Sequence, residues 1–203
     1  MELKIARIIS YVFHPLLMPV FTFSLLFSMK TFFSSVLTTE GKIMILIFIF
    51  VLTFLFPAFL TYILLRTNKI TSLHLKNREE RSIPFIFTIV FYYGSYLIMK
   101  SIDIPAIYLS LILASTLMII LAFFINLKFK ISIHTMAIGA LTGIIIGISN
   151  RFGVNLLLIV LILFIIGGLV AYSRLALNAH RPVEVYSGYI IGFLFMFLLF
   201  ILA

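Results

Sequence analysis

Apolar residues in this chain come in seven runs, most of them near or above 18 residues, the length that crosses a bilayer core rather than the interior of a soluble domain. They cover about residues 8–29, 43–65, 84–101, 104–126, 134–149, 154–172 and 185–202. Of the 203 residues, 64% are hydrophobic and only 10% are charged, more apolar surface than a soluble fold of this size can hide. The expected fold is an all-α polytopic transmembrane helix bundle of six or seven spans, a single integral-membrane domain over 1–203. Seven spans of roughly 20 residues use about 140 positions. Any chemistry is therefore expected in short loops and at span ends.

The first run holds His14, Pro15 and Pro19 and lacks a small-residue cleavage site, so it reads as a retained span rather than a removed signal peptide. The fifth is short and carries Gly139, Gly143 and Gly147 at every fourth position. Gly188 and Gly192 repeat that spacing in the seventh. Faces of this kind suit close helix contact, which places the fifth span in the interior and beside the seventh. With no cysteine, the chain has no disulfide framework, thiolate nucleophile or thiolate metal site.

The formal net charge is +9. Alternation of seven spans puts Lys4, Arg7, Arg66, Lys69, Lys76, Arg78, Arg81, Lys128, Lys130, Arg174 and Arg181 on the side of the N-terminus, and Lys30, Lys42, Lys100 and Arg151 on the other. Positive residues concentrate on the cytoplasmic side, so the richer side is expected to be cytoplasmic. Topology and anionic headgroups explain part of the excess. Three segments on that side hold the rest of the unusual polar residues: Lys76-Asn77-Arg78-Glu79-Glu80-Arg81-Ser82-Ile83-Pro84, Lys130-Ile131-Ser132-Ile133-His134-Thr135, and Ser173-Arg174 followed by His180 and Glu184.

Each segment enters or leaves a span at the depth of a phosphate headgroup. Arg and Lys neutralise and orient phosphate, Arg through a planar fork of donors. Two imidazoles can divide phosphoryl transfer, one attacking phosphorus and the other protonating the leaving oxygen. His180 and Glu184, four residues apart, share a face if the stretch is helical. Too few partners surround His134 and His180 for a zinc site. His14 is read as an interior histidine, Lys130 as an interfacial lysine, and Tyr92, Tyr93 and Tyr96 as packing or tunnel-lining residues.

Ser173-Arg174-x5-His180-x3-Glu184-Val185-x2-Gly188-x3-Gly192 resembles the third signature of the type 2 phosphatidic acid phosphatase superfamily, usually Ser-Arg-x5-His-x3-Asp. Ser132-Ile133-His134 is similar to the second, usually Pro-Ser-Gly-His. Lys76 to Pro84 matches the spacing of the first, Lys-x6-Arg-Pro, with Ile83 in place of Arg. Arg78-Glu79-Glu80-Arg81 and Lys130-Ile131-Ser132-Ile133-His134 look like a divergent prokaryotic branch of polytopic members, which implies a plasma-membrane location. The likeness spans Lys76 to Gly192.

The resemblance implies a phosphatidic acid phosphatase-like helical core and a metal-independent lipid phosphatase that needs no cofactor. His180 would be the nucleophile, Glu184 its orienting carboxylate and His134 the general acid. Lys76, Ser132 and Arg174 would bind phosphate oxygens, with Arg78 or Arg81 replacing the charge missing at Ile83. Expected partners are membrane lipids and a lipid phosphate such as phosphatidic acid, phosphatidylglycerol phosphate or a polyprenyl diphosphate, with no nucleic acid. Two other readings stay open: an anionic-lipid-binding or translocating protein without catalysis, and phosphoryl transfer to another lipid instead of water.

Overall fold

A computed structural model describes residues 2–29, 31–73, 75 and 77–202. Of the candidates above, Lys76 lies outside the described residues. The chain is an all-α polytopic membrane protein. Among the described residues, seven helical stretches are long and apolar enough to cross a bilayer: Glu2–Ser28, Thr39–Arg66, Glu79–Lys100, Ala106–Lys128, Ile133–Phe152, Leu157–Ala176 and Pro182–Leu202. Each contains most or all of one apolar run and extends past it at polar ends, because a capped helix continues where hydropathy has already fallen.

Two stretches are interrupted, and proline accounts for both. In the first, α1 (Glu2–Val12) stops before His14, and a 3₁₀ turn (Pro15–Leu17) leads into α2 (Met18–Ser28). A residue before proline is pushed out of the helical region, and His14 sits at φ −66°, ψ 135°. Its Nδ1 accepts the Leu16 N–H at 3.3 Å and so caps the turn that Pro15 opens. After the short helix α3 (Phe32–Ser35) comes the second interruption. There α4 (Thr39–Phe50) and α5 (Phe56–Arg66) flank a π-helical turn at Val51–Leu55. Pro57 offers no N–H to the Thr53 carbonyl and crowds it, so the helix widens there.

The chain forms two compact units, one of residues 1–18 and 129–203 and one of residues 19–128. In the second, α6 (Ser82–Lys100) packs on α7 (Ala106–Lys128), and Phe23, Phe27 and Phe33 surround the buried Tyr108 ring.

The first unit combines α1 with α8 (Ile133–Phe152), α9 (Leu157–Ala176) and α10 (Pro182–Leu202). Its centre is α8: 67% of its span window is buried, against 22–39% for the other six. The glycine spacing is the cause. A Cβ at Gly139 would run into the Tyr189 carbonyl and one at Gly192 into the Met136 carbonyl, so α8 and α10 meet backbone to backbone. Where the two helices begin, the Ser132 N–H donates to the Glu184 carbonyl at 3.1 Å. Close packing thereby fixes the starts of α8 and α10 side by side.

Candidate functional site

Three helix ends converge in the first unit. The end of α9 is set by Asn178, which adopts φ 49°. The Asn178 N–H returns to the Leu175 carbonyl (2.9 Å) and the Ala179 N–H to the Arg174 carbonyl (3.1 Å), the paired bonds of a Schellman stop with Asn in the left-handed position. Lys130 Nζ donates to the Ala179 carbonyl at 3.2 Å and pins this turn to the segment leading into α8. Two residues past Asn178, the chain reaches His180.

The start of α10 follows from Pro182 and Glu184. Proline suits the first helical position, and a glutamate two residues later can reach back to the preceding backbone N–H. Glu184 Oε2 does accept the Arg181 N–H, at 3.3 Å. The same oxygen lies 2.7 Å from His180 Nδ1, with the two side chains only 3% (His180) and 10% (Glu184) exposed. A carboxylate only accepts, so it holds the imidazole proton on Nδ1 and leaves a lone pair on Nε2. Glu184 reaches the ring despite having one methylene more than the aspartate of the usual signature.

His134 stands in the first turn of α8. Arg174, His180 and His14 all lie within electrostatic range of it, and the Ser10 backbone interacts with its ring. The His14 and His134 rings meet nearly at right angles (81°), with centroids 5.6 Å apart. Arg174, in the last turn of α9, donates from Nη1 to Ser10 Oγ at 3.0 Å, and Ser10 Oγ lies 2.7 Å from Ser173 Oγ. Ser132, the residue before α8, is fully buried, and its Oγ has no hydrogen-bond partner among the described residues.

An anion would be well held here. The first turn of α8 presents backbone N–H groups without intrahelical acceptors and the positive end of a helix dipole, whereas at the start of α10 Pro182 has no N–H and Glu184 already occupies the cap. Arg174 adds a full charge. In the same unit are an imidazole held by a carboxylate and a second imidazole, a pair of groups of the kind that can serve as nucleophile and proton carrier.

Of the residues singled out in the sequence, Ser132, His134, Arg174, His180 and Glu184 thus lie in one unit. Arg78 and Arg81 belong to the other. Arg81 is buried there, its Nε donating to the Leu75 carbonyl at 2.9 Å, while Arg78 stands 3.7 Å from Glu79 and its carbonyl accepts from Asn126. Glu80 binds Thr71 and Asn77 and so organises the loop. Two residues enter from the first span. Ser10 carried no sequence signal, and His14, read above as an interior histidine, has its ring against His134. Its one legible sign was the proline that follows it, which forces the helix to break at a polar residue.

Comparison with protein-family models, curated proteins and solved structures finds no match for this chain. The likeness to the phosphatase superfamily therefore rests on the motif residues quoted above.

Proposed function

We propose that the chain is an integral-membrane lipid phosphatase that cleaves a phosphomonoester or diphosphate from a lipid through a phosphohistidine on His180. The observation that carries this reading is the 2.7 Å pair of His180 Nδ1 and Glu184, set beside His134 and Arg174 in one unit. Binding an anionic headgroup without turnover would use Arg174 and the start of α8 equally well. It has no use for a carboxylate that readies an imidazole.

In the proposed reaction the lone pair of His180 Nε2 attacks phosphorus and the bond from phosphorus to the leaving oxygen breaks. That oxygen, a lipid alkoxide or phosphate, takes a proton from His134. Glu184 stabilises the positive charge on the His180 ring. Water then attacks the phosphorus of the phosphohistidine, giving its proton to His134, and inorganic phosphate leaves with both histidines restored. Arg174, Ser132 and the first-turn N–H groups of α8 bind the phosphoryl oxygens as charge redistributes. Phosphatidic acid, phosphatidylglycerol phosphate and polyprenyl diphosphates suit this chemistry, their tails in the bilayer and their phosphate at the span ends. The distribution of positive residues supports a site on the cytoplasmic face of the membrane.

The test is phosphate release by the purified protein in nanodiscs containing each of these lipids. Activity on at least one, abolished in His180→Ala, supports the reading. Activity that survives this substitution unchanged rules out the phosphohistidine.

A further inference from the structure

The segment from Ser10 to Pro15 in the first span touches two of the residues on which the proposed reaction depends, although 120 residues or more separate it from them in the sequence. Ser10 is buried on α1, which packs along α9. A guanidinium only donates, so the Ser10 hydroxyl accepts from Arg174 Nη1 (3.0 Å), and it shares a second hydrogen bond with Ser173 Oγ (2.7 Å), itself fully buried. This chain of bonds holds one arm of the Arg174 fork. A long side chain otherwise loses several rotamers on binding an anion, and a fork already fixed loses fewer.

His14 is fixed just as firmly. Pro15 keeps it out of the helix, and the Leu16 N–H engages its Nδ1, which sets both the position and the tautomer of the ring. Its ring lies against that of His134 with centroids 5.6 Å apart. His134 sits on the first turn of α8, where a side chain has neighbours on fewer sides than in mid-helix, and the His14 ring supplies one such wall.

We propose that this segment is a fourth element of the phosphate site, with Ser10 the positioning residue for Arg174 and His14 the positioning residue for His134. The inference rests on the phosphatase reading for His14, whereas for Ser10 it needs only that Arg174 binds phosphate.

The test uses the full chain in nanodiscs with two readouts, orthovanadate binding and phosphate release from phosphatidic acid, phosphatidylglycerol phosphate and a polyprenyl diphosphate. Ser10→Ala is expected to weaken vanadate binding and raise KM by about 10-fold, the scale of one hydrogen bond to a charged group. Ser10→Thr, which keeps the hydroxyl, should restore both, and Ser10→Ala should add nothing further in an Arg174→Ala background. Should Ser10→Ala fail to assemble, Ser10→Cys, of similar size but a weaker acceptor, takes its place. His14→Asn retains an acceptor for the Leu16 N–H and removes the ring. It is expected to lower kcat by about 10-fold or more, part of the usual general-acid contribution, and to leave vanadate binding nearly unchanged. Ile8→Val, on the exposed face of α1 and outside this segment, should match wild type in both readouts.

Wild-type binding and KM in Ser10→Ala would overturn the role of Ser10, and wild-type kcat in His14→Asn that of His14, each leaving the phosphatase reading intact. If vanadate binds and weakens in Ser10→Ala but none of the lipids is hydrolysed, the phosphatase reading and the role of His14 fall while that of Ser10 stands. A chain that neither binds vanadate nor releases phosphate overturns all of them.

Discussion

One carboxylate oxygen of Glu184 serves both His180 Nδ1, at 2.7 Å, and the Arg181 N–H, at 3.3 Å, so the cap of α10 and the orientation of the imidazole are a single contact. Glu184→Gln separates the two roles. A glutamine at this position still caps a helix start, so assembly should be preserved. Its neutral amide cannot stabilise a charged ring, and it can present its NH₂ to Nδ1 and draw the lone pair to the wrong nitrogen. Phosphate release is expected to fall by roughly 10²–10⁴-fold with a thermal midpoint close to wild type. An enzyme as active as wild type would show that Glu184 only caps.

Asn178 holds the left-handed turn two residues before His180 and so sets where the imidazole emerges. Asn178→Gly should fold and turn over as wild type does, since glycine occupies this region without strain. In Asn178→Val the branched side chain opposes the turn by about 1–2 kcal/mol. The turn is expected to reshape rather than persist, and kcat to fall more than stability does. Kinetics of the two variants beside their melting curves check this; equal kcat values would separate the turn from the placement of His180.

The site faces the cytoplasm if the charge distribution reports topology. Seven spans put the two ends of the chain on opposite sides of the membrane. Alkaline phosphatase fused after Ala203 should then be active outside, while a fluorescent protein at the same point should stay dark. Bright cytoplasmic fluorescence there would place the site on the outer face.

The seven spans were legible because a run of about 20 apolar residues has one common use, and the contact of α8 with α10 because glycine every fourth residue leaves a face without side chains. The start of α10 carries equally local signals in Pro182 and Glu184, although the apolar run begins only at residue 185. Ser10 carries none. It is a small hydroxyl on an otherwise amphipathic helix, and its partner Arg174 lies 164 residues away, a pairing that no spacing rule encodes. The segment from Asn77 to Arg81 was legible only in part: its charges invite a phosphate-binding role, and Glu80 and Arg81 also make bonds within their own loop that the sequence does not show. Charge is visible in sequence, whereas the local acceptors that engage it depend on the turn the loop adopts.

The backbone contact between α8 and α10 gives a prediction about assembly that is independent of any chemistry. At Gly192 a methyl group would meet the Met136 carbonyl, and backbone cannot move aside as the tip of a side chain can. Gly192→Ala must therefore push the helices apart, at an expected cost of about 3 kcal/mol or more. The displacement also strains the Ser132 N–H bond to Glu184, one turn beyond Gly188, and so reaches the site. Gly168, on α9, has open space where a methyl group would stand, with nothing within 4 Å, and Gly168→Ala should be neutral or slightly stabilising because alanine favours helix. Thermal midpoints in detergent distinguish the pair: a drop of several degrees is expected for Gly192→Ala and none for Gly168→Ala, and equal midpoints would mean that α8 and α10 do not pack this closely.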